Sequence, residues 1–161
     1  MAGSGDMLAS MIEQVAQLKL SSHFHFTGFL VASQVERIWS VTNVYVMPSV
    51  SEPFGIAPLE AIRAGIPVII SKQSGVSEIL NNAIKVDFWD TEALGDAICN
   101  LLRYKSLSKM ISKKSSEELL RITWDRAAKK TIKIYHELTT TKKALPEPVF
   151  SGTPTETAGP V

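Results

Sequence analysis

Cysteine is almost missing. Cys99 is the single one in 161 residues, so a disulfide framework is excluded. It falls in a helical pattern among apolar neighbours, and a small buried apolar residue is expected there. An excess of charge of one sign is also missing. The 17 Lys and Arg face 16 Asp and Glu, for a net charge of +1. That balance gives no reason to expect nucleic acid or a membrane surface as partner. No apolar run approaches the roughly 20 residues of a membrane span. The N-terminus lacks a basic stretch leading into an apolar one, so no signal peptide is read and a cytoplasmic location is expected.

What is present is a hydrophobic fraction of 45%, enough for one domain with a core. Short β-rich runs alternate with amphipathic helical runs, which points to βαβ units and a parallel sheet. After the glycine-rich opening, Leu8, Met11, Ile12, Val15 and Leu18 are spaced for one helix face. HFHFTGF (His23 to Phe29) reads as a strand. Ser33 with Glu36 three residues later suggests a capping box and a short helix. NVYVMPS (Asn43 to Ser49) reads as a strand, Ile56 to Ala64 as a helix stopped by Gly65, and PVIIS (Pro67 to Ser71) as a strand covered on both faces. A short helix near Val76 to Leu80 and a strand AIKVDF (Ala83 to Phe88) follow. The remainder reads as three helices: one with Leu94, Ala97, Ile98, Leu101 and Leu102 on a face, one near Leu107 to Leu120, and one from about Trp124 to Leu138. The domain is thus read as residues 1–139. Residues 140–161 are rich in Thr, Pro and Gly and read as a disordered tail.

The segment PSVSEPFGIAPLE (Pro48 to Glu60) carries the chemistry. The helix opening after SEPFG has free amides and partial positive charge at its start. Gly55 allows a ligand close to the backbone, and Pro58 falls in the first turn, where its missing N–H costs little. The amides of Gly55, Ile56 and Ala57 can therefore face an anion such as a diphosphate. The turn lies at the carboxyl end of a strand, the edge where open α/β sheets bind ligands. Glu52 precedes the helix and Glu60 sits about one turn inside it, pointing back toward its start. A sugar nucleotide supplies diphosphate for the amides and hydroxyl-bearing rings for the carboxylates.

Other candidates are weaker. Gly3 to Asp6 lacks the full dinucleotide pattern and reads as a turn. His23 and His25 share a strand face, but no third metal ligand is visible. Lys72 reads as a surface residue, and Glu78 as one that orients its helix.

EPFGIAPLE, embedded in PS-x-x-EPFG-x-x-x-LEA-x-x-x-G-x-PV, resembles the donor-site motif of retaining GT-B glycosyltransferases of the glycogen synthase and sucrose synthase-like group. FTGFL, the continuation AIRAGIPVIISKQSGVSEIL, and Trp124 with Tyr135 are similar to that group too. The resemblance spans roughly Gly3 to Leu138. It implies part of the C-terminal, Rossmann-like domain of a GT-B fold, with a parallel sheet, flanking helices and a helical C-terminal part. It implies transfer of a hexose from UDP, ADP or GDP to an acceptor, with retention and without metal or other cofactor. Glu52 would be catalytic and meet donor-sugar hydroxyls. Glu60 would take the ribose, and Phe54, Gly55, Ile56 and Ala57 would line the donor site. The backbone near Phe29 and Leu30 would lie by the base. A non-catalytic nucleotide- or protein-binding module derived from such a domain is the alternative.

The same resemblance implies that a strand–helix unit with its basic residues, and the acceptor-binding domain, are missing here, so that this chain alone is inactive. In the usual strand order 3-2-1-4-5-6, HFHFTGF would be the third strand and NVYVMPS the fourth. The missing strands would fall between them. The expected outcome is an open gap, a rearrangement that closes it, or another polypeptide that fills it.

Overall fold

Val68–Ser71 is buried at all four positions, and this strand organises the molecule. In the computed structural model, which describes residues 1–140, it is the centre of a three-stranded parallel sheet. Strand β1 (Tyr45–Met47) pairs with β2 (Val68–Ser71), and β2 pairs with β3 (Ile84–Val86). The registers join Val46 to Ile69 and Ile70 to Lys85. A strand hydrogen-bonded on both edges and covered on both faces has no polar surface to serve, which accounts for the unbroken apolar run.

In chain order the helices are α1 (Leu8–Gln17), α2 (Ala32–Trp39), α3 (Ile56–Arg63), α4 (Thr91–Arg103), α5 (Lys105–Leu119) and α6 (Trp124–Thr140), with a short 3-10 helix over Gly75–Glu78; α3 and α4 pack on the sheet. Ile69, Val86, Leu101 and Ile111 form a core cluster, joined by Leu94, Ala97 and Ile98 of α4. Side-chain alternation turns Val68 and Ile70 to the other side of β2. Helix α3, whose Ala61 and Ile62 are buried, packs on β1 and β2. Gly65 ends α3 in a left-handed conformation, φ +80°, as a glycine beyond a helix end commonly does. Helix α5 is tied to the end of α3 by Ser112 Oγ, which donates to the Gly65 carbonyl at 2.6 Å. Glu118 of α5 accepts from the backbone and side-chain amides of Asn81 and Asn82 at 2.6–3.1 Å.

Helix α6 belongs to a second compact unit beginning at Ile122. Within that unit Thr123 Oγ1 accepts from the Arg126 amide at 3.3 Å, and Lys133 pairs with Glu137 one turn on at 3.7 Å. The Thr/Pro/Gly-rich stretch read as a disordered tail lies outside the described residues from position 141 on.

Four expectations are corrected. His23 to Phe29 is not a strand. Its ladder is one parallel bridge, Gly28 to Ala2, with hydrogen bonds from Met1 N to the His25 carbonyl and from Thr27 N to the Met1 carbonyl. A single bridge does not fix successive residues into a ladder, so no strand forms. The alternation that set His23 and His25 on one face goes with it, and no metal-holding group of His, Cys, Asp and Glu occurs among the described residues. Ser33 does not cap α2, which starts at Ala32. Instead Gln34 Oε1 reaches back to the Val31 amide at 3.0 Å. Cys99 is exposed, because the buried stripe of α4 runs through Ala97, Ile98 and Leu101 and leaves position 99 on the outer side.

Strand β1 is at the edge of the sheet. Among the described residues no strand pairs with its outer edge, and no residue before Met47 is buried. A concavity of about 560 Å³ lies in that N-terminal part, lined by residues that include His25, Leu30, Arg37 and Val41.

Candidate functional site

All three strands point the same way, so the turns that follow them gather at one edge. The turn after β1 holds Glu52, Phe54 and Gly55 and leads into α3. The turn after β2 leads into Gly75–Glu78, and the one after β3 into α4.

Gly55 caps α3 with φ +90° and ψ 85°. This left-handed conformation is costly for any residue with a side chain. Space forbids one as well. A Cβ at Gly55 would sit 2.9 Å from Met47 Cε and 3.3 Å from Glu52 Cγ. The first turn of α3 contains no acidic residue, and no side chain caps it. Its leading amides therefore keep the free, partly positive character that favours an anion. Pro58 is buried in that first turn.

Glu52 is half-buried and folds back on its own loop, where Oε1 accepts a long 3.4 Å bond from the Phe54 amide. Glu60 is exposed one turn into α3. Both carboxylates act electrostatically on Tyr45. Burial pushes the Tyr45 phenol up from its ordinary pKa, and the negative charges of Glu52 and Glu60 push it further. The Tyr45 ring is held by an edge-on contact with Trp39, 5.2 Å between centroids. Tyr45 was not singled out from the sequence. The available signal was its place as an aromatic residue three positions before the proline that opens the motif. Phe54 is 41% and Ile56 67% exposed, so both are open to a ligand, and Ala57 is half-buried.

Phe29 and Leu30 are not joined to this turn. Among the described residues no hydrogen bond connects residues 25–31 with 48–60. Leu30 lines the separate N-terminal concavity, and Phe29 is 80% exposed. Lys72 pairs with Asp87 Oδ2 at 2.7 Å, and Gln73 donates to Oδ1 at 3.0 Å. Those hydrogen bonds hold the Asp87 carboxyl below its ordinary pKa. Glu78 is exposed on the short helix.

A parallel sheet covered by helices, with its turns collected at the carboxyl edge, defines a Rossmann-like α/β domain. The chain belongs to the family described as glycosyl transferases group 1, whose model matches residues 1–118. It is 31% identical over 138 residues to an uncharacterized glycosyltransferase of Methanocaldococcus jannaschii, covering 83% of this chain and 35% of that protein. A probable sucrose-phosphate synthase of Oryza sativa is 28% identical over 130 residues, 76% of this chain and 12% of the enzyme. The chain thus spans about a third or less of these relatives. Among solved structures, a sucrose-phosphate synthase from Thermosynechococcus elongatus superposes with a TM-score of 0.69 at 25% identity, covering 86% of this chain and 37% of that one. The Anabaena protein HepE, solved in complex with UDP and glucose, shares the fold with a TM-score of 0.70 at 18% identity, covering 86% and 39%. No helix among the described residues is long and apolar enough to cross a membrane.

Proposed function

We propose that this chain is the donor-binding part of a glycosyltransferase that moves a hexose from a nucleotide sugar to an acceptor with retention and without a metal ion. The observation that carries the reading is that Glu52, in the turn before α3, and Glu60, one turn inside it, are both within electrostatic reach of Tyr45. That turn starts a helix with free amides, so anion-binding and hydroxyl-binding groups lie side by side. Membership in the glycosyl transferases group 1 family supports it.

In this reading Glu52 accepts hydrogen bonds from the hexose hydroxyls and acts at the reacting centre, while Glu60 takes the ribose. The amides of Gly55, Ile56 and Ala57 meet the phosphates beside Phe54. The backbone of Phe29 and Leu30 closes over the base. The free edge of β1 takes further polypeptide, from a longer form of this protein or from another chain, and that polypeptide supplies the basic residues and the acceptor side.

Calorimetry with UDP-, ADP- and GDP-glucose tests the reading. One of the three should bind more tightly than about 1 mM, and Glu60→Ala should weaken it, since a lost hydrogen bond to a charged group costs about 1.5–3 kcal/mol. Millimolar or absent binding, unchanged by the substitution, removes the donor site. A non-catalytic module is the second reading, favoured by the engagement of Lys72 with Asp87, which leaves that base tied up. Donor binding without any turnover in the presence of the completing polypeptide would establish it.

A further inference from the structure

Ser71 and Gly75 touch the motif loop from below. Ser71 is the last residue of β2 and only 2% exposed. Its Oγ donates to the Ser49 carbonyl at 2.5 Å. Three residues further along the loop, the Glu52 carbonyl accepts from the Gly75 amide at 2.9 Å. Ser74, also 2% exposed, returns its Oγ to the Ser71 carbonyl at 2.8 Å and so fixes the turn between the two donors.

The frame under these bonds is stiff. β2 is paired on both edges, Ser71 is in register with Val86, and the Lys72 amide continues the ladder to the Val86 carbonyl at 3.0 Å. Val76 and Leu80, just beyond Gly75, are fully buried. Loop position is therefore referred to the sheet through residues 71–75.

Gly75 is needed for closeness. A Cβ there would lie 1.9 Å from the Pro53 carbonyl oxygen and 3.2 Å from Phe54 Cα. No flexible side chain could yield, because both obstacles are backbone. Its φ is not in the left-handed region, so conformational freedom is not the reason for the glycine. Close backbone approach is.

We propose that Ser71 and Gly75 are positioning residues, which set the Glu52 carboxylate at the donor site by clamping the carbonyls at the two ends of Ser49–Glu52. The proposal rests on the donor-binding reading above. Among the described residues, the Glu52 carboxylate has a long 3.4 Å bond from the Phe54 amide to orient it and no shorter one. The backbone beneath it must then do the rest, since binding groups lose much of their effect when displaced by about 1 Å.

The test is calorimetry of UDP-glucose with the 161-residue chain, its Ser71→Ala, Gly75→Ala and Glu52→Gln variants, and the two double variants with Glu52→Gln. Circular dichroism first establishes folding. If Gly75→Ala fails to fold, Ser71→Ala alone decides. Each clamp variant should weaken UDP-glucose about tenfold, and its effect should vanish when Glu52 is already Gln, because the clamp acts through that side chain. Amide resonances from Glu52 to Ile56 should shift in the unliganded clamp variants. If UDP-glucose binding depends on Glu52 but the clamp variants bind as the parent does, or add to Glu52→Gln independently, the clamp is overturned and the donor site stands. If the parent chain binds ADP- or GDP-glucose instead, the same series is run with that donor; if it binds none of the three, the donor reading falls and takes the clamp with it.

Discussion

Met47 Cε lies where Gly55 has no side chain to meet it, 2.9 Å from the position a Cβ would take. The strand residue and the helix cap thus fill one small volume, and the turn between them carries Glu52.

Gly55→Ala should be strongly destabilising for two reasons. The left-handed backbone costs a non-glycine residue roughly 1–2 kcal/mol, and overpacking adds about 1–3 kcal/mol. Urea unfolding should show a loss of about 2–5 kcal/mol. A midpoint within experimental error of the parent would show that the turn relaxes freely, and would remove the argument that Gly55 fixes the start of α3.

Ser115 on α5 is completely buried, and its hydroxyl finds no partner. An unsatisfied buried hydroxyl costs about 1–3 kcal/mol. Ser115→Ala should therefore raise the unfolding midpoint, by the equivalent of about 1 kcal/mol after the small lost volume is counted. A lowered midpoint would mean that the hydroxyl has a partner after all.

Glu118 should make stability depend on acid pH. Burial disfavours its charged form, but the bonds from Asn81 and Asn82 outweigh that and lower its pKa from the ordinary 4.5. A depressed carboxyl contributes stability that is complete above its unfolded pKa and is lost as pH falls through the folded one. Urea midpoints should thus decline as pH drops below about 4.5. Glu118→Gln should lower stability at pH 7 and flatten this decline. An unchanged slope in the variant would assign the acid sensitivity elsewhere.

Cys99 should be modified by a water-soluble disulfide reagent in the native protein, with one equivalent consumed without denaturant. Protection until unfolding would return it to the core and contradict its exposure.

How much was legible beforehand differs by element. The unbroken apolar run Val68–Ile70 declared its burial because a strand covered on both faces has no polar side, and the stripe Ala97–Ile98–Leu101 did so because it runs with the helical period. The start of α3 was readable from Gly55 and Pro58. His23 to Phe29 was misread as a strand. Its alternating pattern is a property of the segment, while a strand is a property of a pair, and the pairing present is a single bridge between Ala2 and Gly28. Cys99 was misassigned because apolar neighbours do not say which side of a helix the sheet will cover.

From the strand at Tyr45–Met47 onward the order of elements, and the location of the motif turn, were legible in the sequence alone, through local rules of periodicity and strand-end placement. Tertiary structure decided what those rules cannot reach. It put the buried Tyr45 phenol within electrostatic influence of both Glu52 and Glu60, brought Ser71 and Gly75 against a loop about twenty residues earlier, and left the outer edge of β1 without a partner strand among the described residues. The reason is distance along the chain. Contacts between remote segments depend on how the β2 ladder aligns them, and no local propensity encodes that alignment.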